Sequence, residues 1–239
     1  MFDKIAEMIR GWAMRRFRHV FALFALAALM LPVSEQLGAQ VKAMIRLPEP
    51  RFKSPTSIEE ALLGRRSIRE YEQGVLSLEE LAQLLWAAQG VTAPGGYRTA
   101  PSAGALYPIE LYVAVGNVSG VPAGVYRYDP LAHRLVLGLS GDRRKDIYTA
   151  ALTQGSIRSA QAVLVFTVLY ERTTGKYGQR GIRYAQLEVG HAAQNVYLQC
   201  VSLNLGTVAI GAFSDEGVRK AIGAENGEMP LYIMPIGRR

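Results

Sequence analysis

Eight residues, Ala162 to Leu169, run Ala-Val-Leu-Val-Phe-Thr-Val-Leu without a single charge. With β-branched and aromatic residues prominent at this length, the run predicts a strand carrying apolar layers on both faces. A sheet centred on such a strand needs helices above and below it, and the sequence offers them. Ser57-Ile-Glu-Glu60 and Ser77-Leu-Glu-Glu80 are capping boxes. The first opens a short helix closed by Gly64. The second opens a stronger one, with Leu78, Leu81, Ala82, Leu85 and Ala88 at helical spacing and Gly90 as its stop. Asp142 predicts the cap of a helix reaching about Leu152, and 215–222 reads as another. The longest helix is predicted from about Ile182 to Leu205, ended by Gly206. Further strands are expected at 109–115, at 207–210, at 231–236, and as a hairpin of 124–128 with 134–137 around Asp129-Pro130. Strands and helices intermix without regular βαβ alternation, which predicts an α+β fold and not a doubly wound sheet.

With 239 residues, 49% of them hydrophobic, the chain can bury one sizeable core. Its net charge of +7 comes largely from charges that alternate in sign. A basic stripe with interleaved aromatics is missing, so nucleic acid is not expected as a partner. The single cysteine, Cys200, excludes an internal disulfide and a cysteine zinc site, and His19, His133 and His191 show no ligand spacing, so no metal is expected. Arg15, Arg16, Arg18 and His19 precede twelve apolar residues, 20–31. A membrane span needs roughly 20. The order fits a secretory signal, with small residues for cleavage at Leu37-Gly38-Ala39. The expected organisation is a leader at 1–39, a proline-rich arm at 40–56 and a folded domain at 57–239. Residues 1–13 read as an extension upstream of Met14. The leader is a signal peptide or membrane anchor, which predicts export to a periplasmic or membrane-anchored location, with the cytoplasm as the alternative.

Three segments hold residues that suit ligand chemistry. Arg65-Arg66-Ser67-Ile68-Arg69 places three arginines and a hydroxyl beyond a short helix, where they can grip a phosphate through charge-assisted bonds. A solvated helix end is the alternative reading. Ala100-Pro-Ser-Ala-Gly-Ala-Leu-Tyr-Pro108 sits in the long loop 92–108, and its small residues let backbone approach a flat ligand. No histidine or acid stands at triad spacing to make Ser102 a nucleophile. Gly206-Thr-Val-Ala-Ile-Gly-Ala-Phe213 is a strand entering a turn that can present N–H groups to a ligand edge. Neither the P-loop nor the dinucleotide glycine pattern is present.

In this order, and together with Leu84-Leu-Trp-Ala-Ala-Gln-Gly90, Glu188-Val-Gly-His-Ala-Ala-Gln-Asn195 and Leu231-Tyr-Ile-Met-Pro-Ile-Gly237, the segments resemble the nitroreductase superfamily. More narrowly they are similar to its SagB/ThcOx-type branch, which includes thiazoline and oxazoline oxidases. The resemblance covers roughly residues 46–239. It implies a nitroreductase-like fold, a central mostly antiparallel sheet flanked by helices with one long central helix, and FMN as cofactor. It further implies that Arg65, Ser67 and Arg69, with Arg66 as a second candidate, hold the FMN phosphate and reach the pyrimidine side. Pro101, Ser102, Ala103 and Gly104 would reach the flavin bound largely by the partner of a homodimer. Ala209, Ile210 and Gly211 would border the flavin ring, and Arg238 or Arg239 could assist the phosphate.

Azoline-oxidising members carry a Lys-Tyr pair ahead of the long helix, and Lys176-Tyr177 stands in that place. A lysine beside a flavin can act as base with tyrosine relaying the proton; a mobile, solvent-exposed loop marked by Gly175, Gly178 and Gly181 is the alternative. Arg183 and Tyr184 could line the same cleft. The expected function is hydride transfer between FMN and a small organic substrate. Azoline dehydrogenation of a modified peptide, or flavin binding without catalysis, are the alternatives. Export and the lack of a docking extension speak against peptide tailoring.

Overall fold

The computed structural model describes residues 43–239; the leader, the proposed upstream extension and the first residues of the arm lie outside them. Seven strands make the main sheet: β1 (Met44–Arg46), β4 (Ile109–Val115), β5 (Gly124–Asp129), β6 (Arg134–Ser140), β7 (Ala162–Leu169), β8 (Leu205–Thr207) and β9 (Glu228–Arg238). Their order is β1-β6-β5-β4-β7-β9-β8, and every neighbouring pair is antiparallel. A separate ribbon pairs β2 (Val91–Ala93) with β3 (Tyr97–Arg98). The helices are α1 (Ile58–Gly64), α2 (Leu78–Gln89), α3 (Arg144–Ala150), α4 (Gly155–Ser159), α5 (Tyr170–Tyr177), α6 (Arg180–Ser202) and α7 (Asp215–Ile222).

The apolar run of β7 is buried on both sides, as its composition requires. Leu164, Phe166 and Val168 enter a core with Leu81 and Leu85 of α2 and Val189, Ala192 and Val196 of α6. Val163 and Val165 face the other way, onto Ile147 of α3, Ile157 of α4, and Val218 and Ile222 of α7. Each fully buried side chain of this size contributes about 1.5–3 kcal/mol, so the two cores hold the sheet from both faces. Both capping boxes form: Ser57 and Ser77 accept from the N–H groups of Glu60 and Glu80, whose carboxylates accept in return.

Five departures from the sequence reading are all local. The arm contributes a strand, β1, because Met44–Arg46 pairs with Arg134–Val136 at the open edge of β6. The helix expected from Asp142 breaks after Ala150, where Leu152 and Thr153 take positive φ, and α4 follows. Asp142 binds the Arg144 N–H and guanidinium instead of serving as the N-cap. The segment before the long helix is itself a helix, α5, and β8 lies at 205–207, while Ile210 makes only a lone bridge to Ile233.

Candidate functional site

Two groups of side chains form on α6. The first gathers around Tyr197. Its hydroxyl accepts the Ala209 N–H at 2.7 Å and shares a hydrogen bond with Ser67 Oγ at 3.1 Å, in which either oxygen can donate. The Arg65 guanidinium lies 5.3 Å over its ring. The Arg65–Arg69 segment is held there by backbone: Arg65 N–H closes α1 onto Ala61, and Ile68 N–H bonds Thr207 in β8. Tyr71, whose hydroxyl donates to Ile68 and Pro235 carbonyls, braces it from below; burial raises the Tyr71 pKa. Thr207 Oγ1, buried beside this segment, has no hydrogen-bond partner among the described residues.

The remaining first-segment candidates fare differently. Arg66 folds back to the carbonyls of Leu63 and Arg65 and caps α1. Arg69 is exposed and lines a recess with Gln154, Gly155 and Ser156. Ile210 has both backbone groups bonded to Ile233 and its side chain in the core, which leaves exposed Gly211 as the turn residue facing outward. Arg238 grips both Glu80 oxygens at 2.6 Å and the Val75 carbonyl, tying the end of β9 to the start of α2.

The second group gathers around the loop Pro101–Tyr107. Gly104, Ala105 and Tyr107 have φ of 63°, 55° and 46°. Two non-glycine residues in the left-handed region so close together mark a strained loop that its surroundings must hold. Ser102 Oγ accepts the Tyr107 N–H at 2.9 Å and closes the loop on itself. Glu188 of α6, 4% exposed, accepts the Ala103 N–H at 2.8 Å. Burial raises the Glu188 carboxyl above the usual carboxylate range, against the opposing pull of its bonds from Ala103 and Ser102. Arg172 of α5 donates to the Tyr107 carbonyl at 2.9 Å.

Lys176 and Tyr177 end α5, not a loop, and both reach this turn. A Cβ at Gly104 would stand 2.7 Å from Tyr177 Oη and 2.9 Å from Lys176 Nζ. Gly181 makes the approach feasible, since a Cβ there would lie 2.6 Å from the Thr173 backbone and push α5 off α6. Tyr184 packs edge-on against Tyr177 at 5.2 Å. Arg183 is exposed.

Glu188 and Tyr197 are nine residues apart on one helix. That is about two and a half turns, roughly 13–14 Å along the axis, and it puts them on opposite faces of α6. One chain therefore carries both groups and does not merge them into one site. Sequence reasoning missed Tyr197 and Glu188. Glu188 stood in a quoted motif without a role, and a carboxylate inside an apolar helical stripe was its available signal.

A sequence profile of the nitroreductase family, matched at residues 62–238, decides where this arrangement belongs. The chain is a member of the nitroreductase family. It shares 49% identity over 182 residues with the nitroreductase-like protein MJ1384 of Methanocaldococcus jannaschii, covering 76% of this chain and 91% of that one. The microcin B17-processing protein McbC of Escherichia coli is 29% identical over 174 residues, 70% of this chain and 64% of McbC. A crystal structure of a nitroreductase-like protein from Ralstonia eutropha JMP134 superposes with a TM-score of 0.73 at 34% identity, over 83% of this chain and 90% of that one. The family makes this chain a flavin-type oxidoreductase, and the antiparallel sheet between helices with α6 at its centre is the nitroreductase fold.

Proposed function

We propose that the chain is an FMN-dependent oxidoreductase acting on a small organic substrate, as a homodimer with one flavin at each of two sites shared between subunits. What carries this reading is the separation of the Tyr197 and Glu188 groups on opposite faces of one helix. Each group is half of a site, and a two-fold pairing completes both halves at once. The donor set around Tyr197 fits a phosphate-bearing cofactor. Arg65 and the Ser67 hydroxyl lie on one side, and Thr207 Oγ1, without a partner among the described residues, lies close by. FMN supplies two-electron hydride chemistry when bound. Arg65 and Ser67 would hold the phosphate, Gly211 would offer backbone to the ring, and the Ser102–Gly104 turn of the other subunit would exclude water and orient the substrate.

Titration of the purified chain with FMN, followed by flavin fluorescence, tests this directly. Saturable binding that weakens by about tenfold or more in Arg65→Gln is the expected result. A chain that stays colourless in excess FMN removes the reading. Bleaching of the bound flavin by NADH or NADPH without air, then recovery with a nitroaromatic, a quinone or oxygen, identifies donor and acceptor. Flavin that no reductant or substrate bleaches would make the protein a carrier.

A second reading, azoline dehydrogenation, is favoured by Lys176 Nζ and Tyr177 Oη closing on Gly104 and by the likeness to McbC. Oxidising an azoline ring removes a hydride, which bound FMN would accept, and a proton, which Lys176 would take as base with Tyr177 beside it. Lys176→Ala separates the readings: loss of thiazoline-peptide oxidation with nitroaromatic reduction intact supports the second. The leader at 1–39 adds export to the proposal, and a native protein whose first residue lies at or beyond Gln40 would support it.

A further inference from the structure

Against β4, β5 and β6 lies a cavity of about 480 Å³. It borders the Pro101–Tyr107 group, with which it shares Arg172, and its lining includes no member of the Tyr197 group. Small-molecule sites run roughly from 300 to 1,000 Å³. Three arginines line it from three elements: Arg98 of β3, Arg127 of β5 and Arg172 of α5. One buried carboxylate stands among them. Glu110, 8% exposed, gives one oxygen to Arg172 at 2.5 Å and the other to Arg127 at 2.8 Å. Both its oxygens are then engaged, and among the described residues Arg98 has no carboxylate of its own. Its Nη1 donates to the neutral Gln89 Oε1 at 2.8 Å, and its flat face lies 4.3 Å over the Tyr107 ring. Its Nε is buried without a partner among the described residues.

Arg127 also meets Glu225, but that side chain is 65% exposed and largely screened by water. Asp129, also in the wall, is paired with Arg134. With Arg134 counted beside Asp129, four guanidinium groups thus meet three carboxylates, of which Glu110 is the buried one. Positive charge is left over in a partly dry recess, where it acts more strongly than at the surface. The rest of the wall includes apolar Leu131, Val136 and Leu137.

We propose that this cavity binds an organic carboxylate with an apolar body. The planar carboxylate matches the guanidinium fork, which a spherical anion or a cation would not. The apolar body lies on Leu131, Val136 and Leu137.

Calorimetric titration of the full chain with benzoate, benzylamine and inorganic phosphate, each with and without excess FMN, tests the assignment. Benzoate binds, benzylamine does not, and FMN leaves the benzoate affinity unchanged. The affinity falls by about tenfold or more in Arg98→Gln and again in Leu131→Glu. Leu131 is 75% exposed, and its one link to an ion pair is its backbone N–H on Asp129, which the substitution keeps, so the second variant reports on the site with little cost to the fold. Benzoate giving no heat, or binding equally to both variants, overturns the proposal. So does benzoate that FMN displaces or that Arg65→Gln weakens, since it would then occupy the flavin site. Phosphate binding more tightly than benzoate, and lost in Arg98→Gln, would overturn the carboxylate assignment.

Discussion

At Gly104 the absence of one carbon decides where two side chains sit. An alanine there meets the left-handed φ of 63° and, within 3 Å, Tyr177 Oη and Lys176 Nζ. Both are the ends of flexible side chains, so they yield and the fold survives. Gly104→Ala should therefore cost only about 1 kcal/mol of stability in thermal unfolding. Turnover should fall by about tenfold or more if the displaced pair acts on substrate. A variant with wild-type kcat would detach Lys176 and Tyr177 from the chemistry. Glu188 offers a second test, with a definite sign. Its folded-state pKa is raised, so the native state holds this proton more tightly than the unfolded chain does. Its contribution is fully present below the ordinary carboxylate pKa of about 4.3 and is lost as pH rises through the folded value. Glu188→Gln keeps an acceptor for the Ala103 N–H and removes the ionisation. Its Tm should equal or exceed that of the wild type at neutral pH, with the difference closing toward about pH 4. A deficit at neutral pH that persists in acid would refute the burial argument.

Elements were legible where their signals are local. The charge-free run of β7 and the Ser-x-x-Glu boxes of α1 and α2 contain their own instructions within a few residues. α5 was not legible. Tyr-Glu-Arg-Thr-Thr-Gly-Lys-Tyr buries only Thr173, so no apolar stripe announces it, and its helicity comes from packing against α6 through Gly181. The candidate site divides in the same way. Arg65, Ser67 and the Ser102–Gly104 turn stood out by residue type. Tyr197 looked like one more residue on a helix, because its partners Ser67 and Ala209 come from two other segments. Arg238 shows the converse, a plausible phosphate ligand whose guanidinium is held by Glu80, 158 residues away. If Arg238 joins β9 to α2, then Arg238→Ala should lower stability by about 1–2 kcal/mol in urea unfolding. FMN affinity should stay within about twofold of wild type. A selective loss of FMN affinity at unchanged stability would restore Arg238 to the phosphate site.

At the scale of the whole molecule, the geometry of α6 sets the question. With the Tyr197 and Glu188 groups on opposite faces of one helix, a single site proposed to use both would need a large rearrangement within one chain or a second chain. Mixing inactive variants separates the two. Arg65→Gln damages the phosphate group and leaves the Lys176 turn intact; Lys176→Ala does the reverse, and is used with a substrate whose turnover it abolishes. If each site draws Arg65 from one chain and Lys176 from the other, a mixed dimer has one doubly damaged site and one intact site. Random exchange of equal amounts places half of the chains in mixed dimers. With FMN held too low to load the Arg65→Gln variant, activity should therefore recover to about a quarter of the wild-type value, from two preparations that are each inactive under those conditions. If Arg65 and Lys176 of the same chain shared a site, every site in the mixture would carry one lesion and nothing would recover. Absence of recovery, with mixed dimers verified by mass, would exclude sites shared between chains and require the two faces of α6 to serve separate ends.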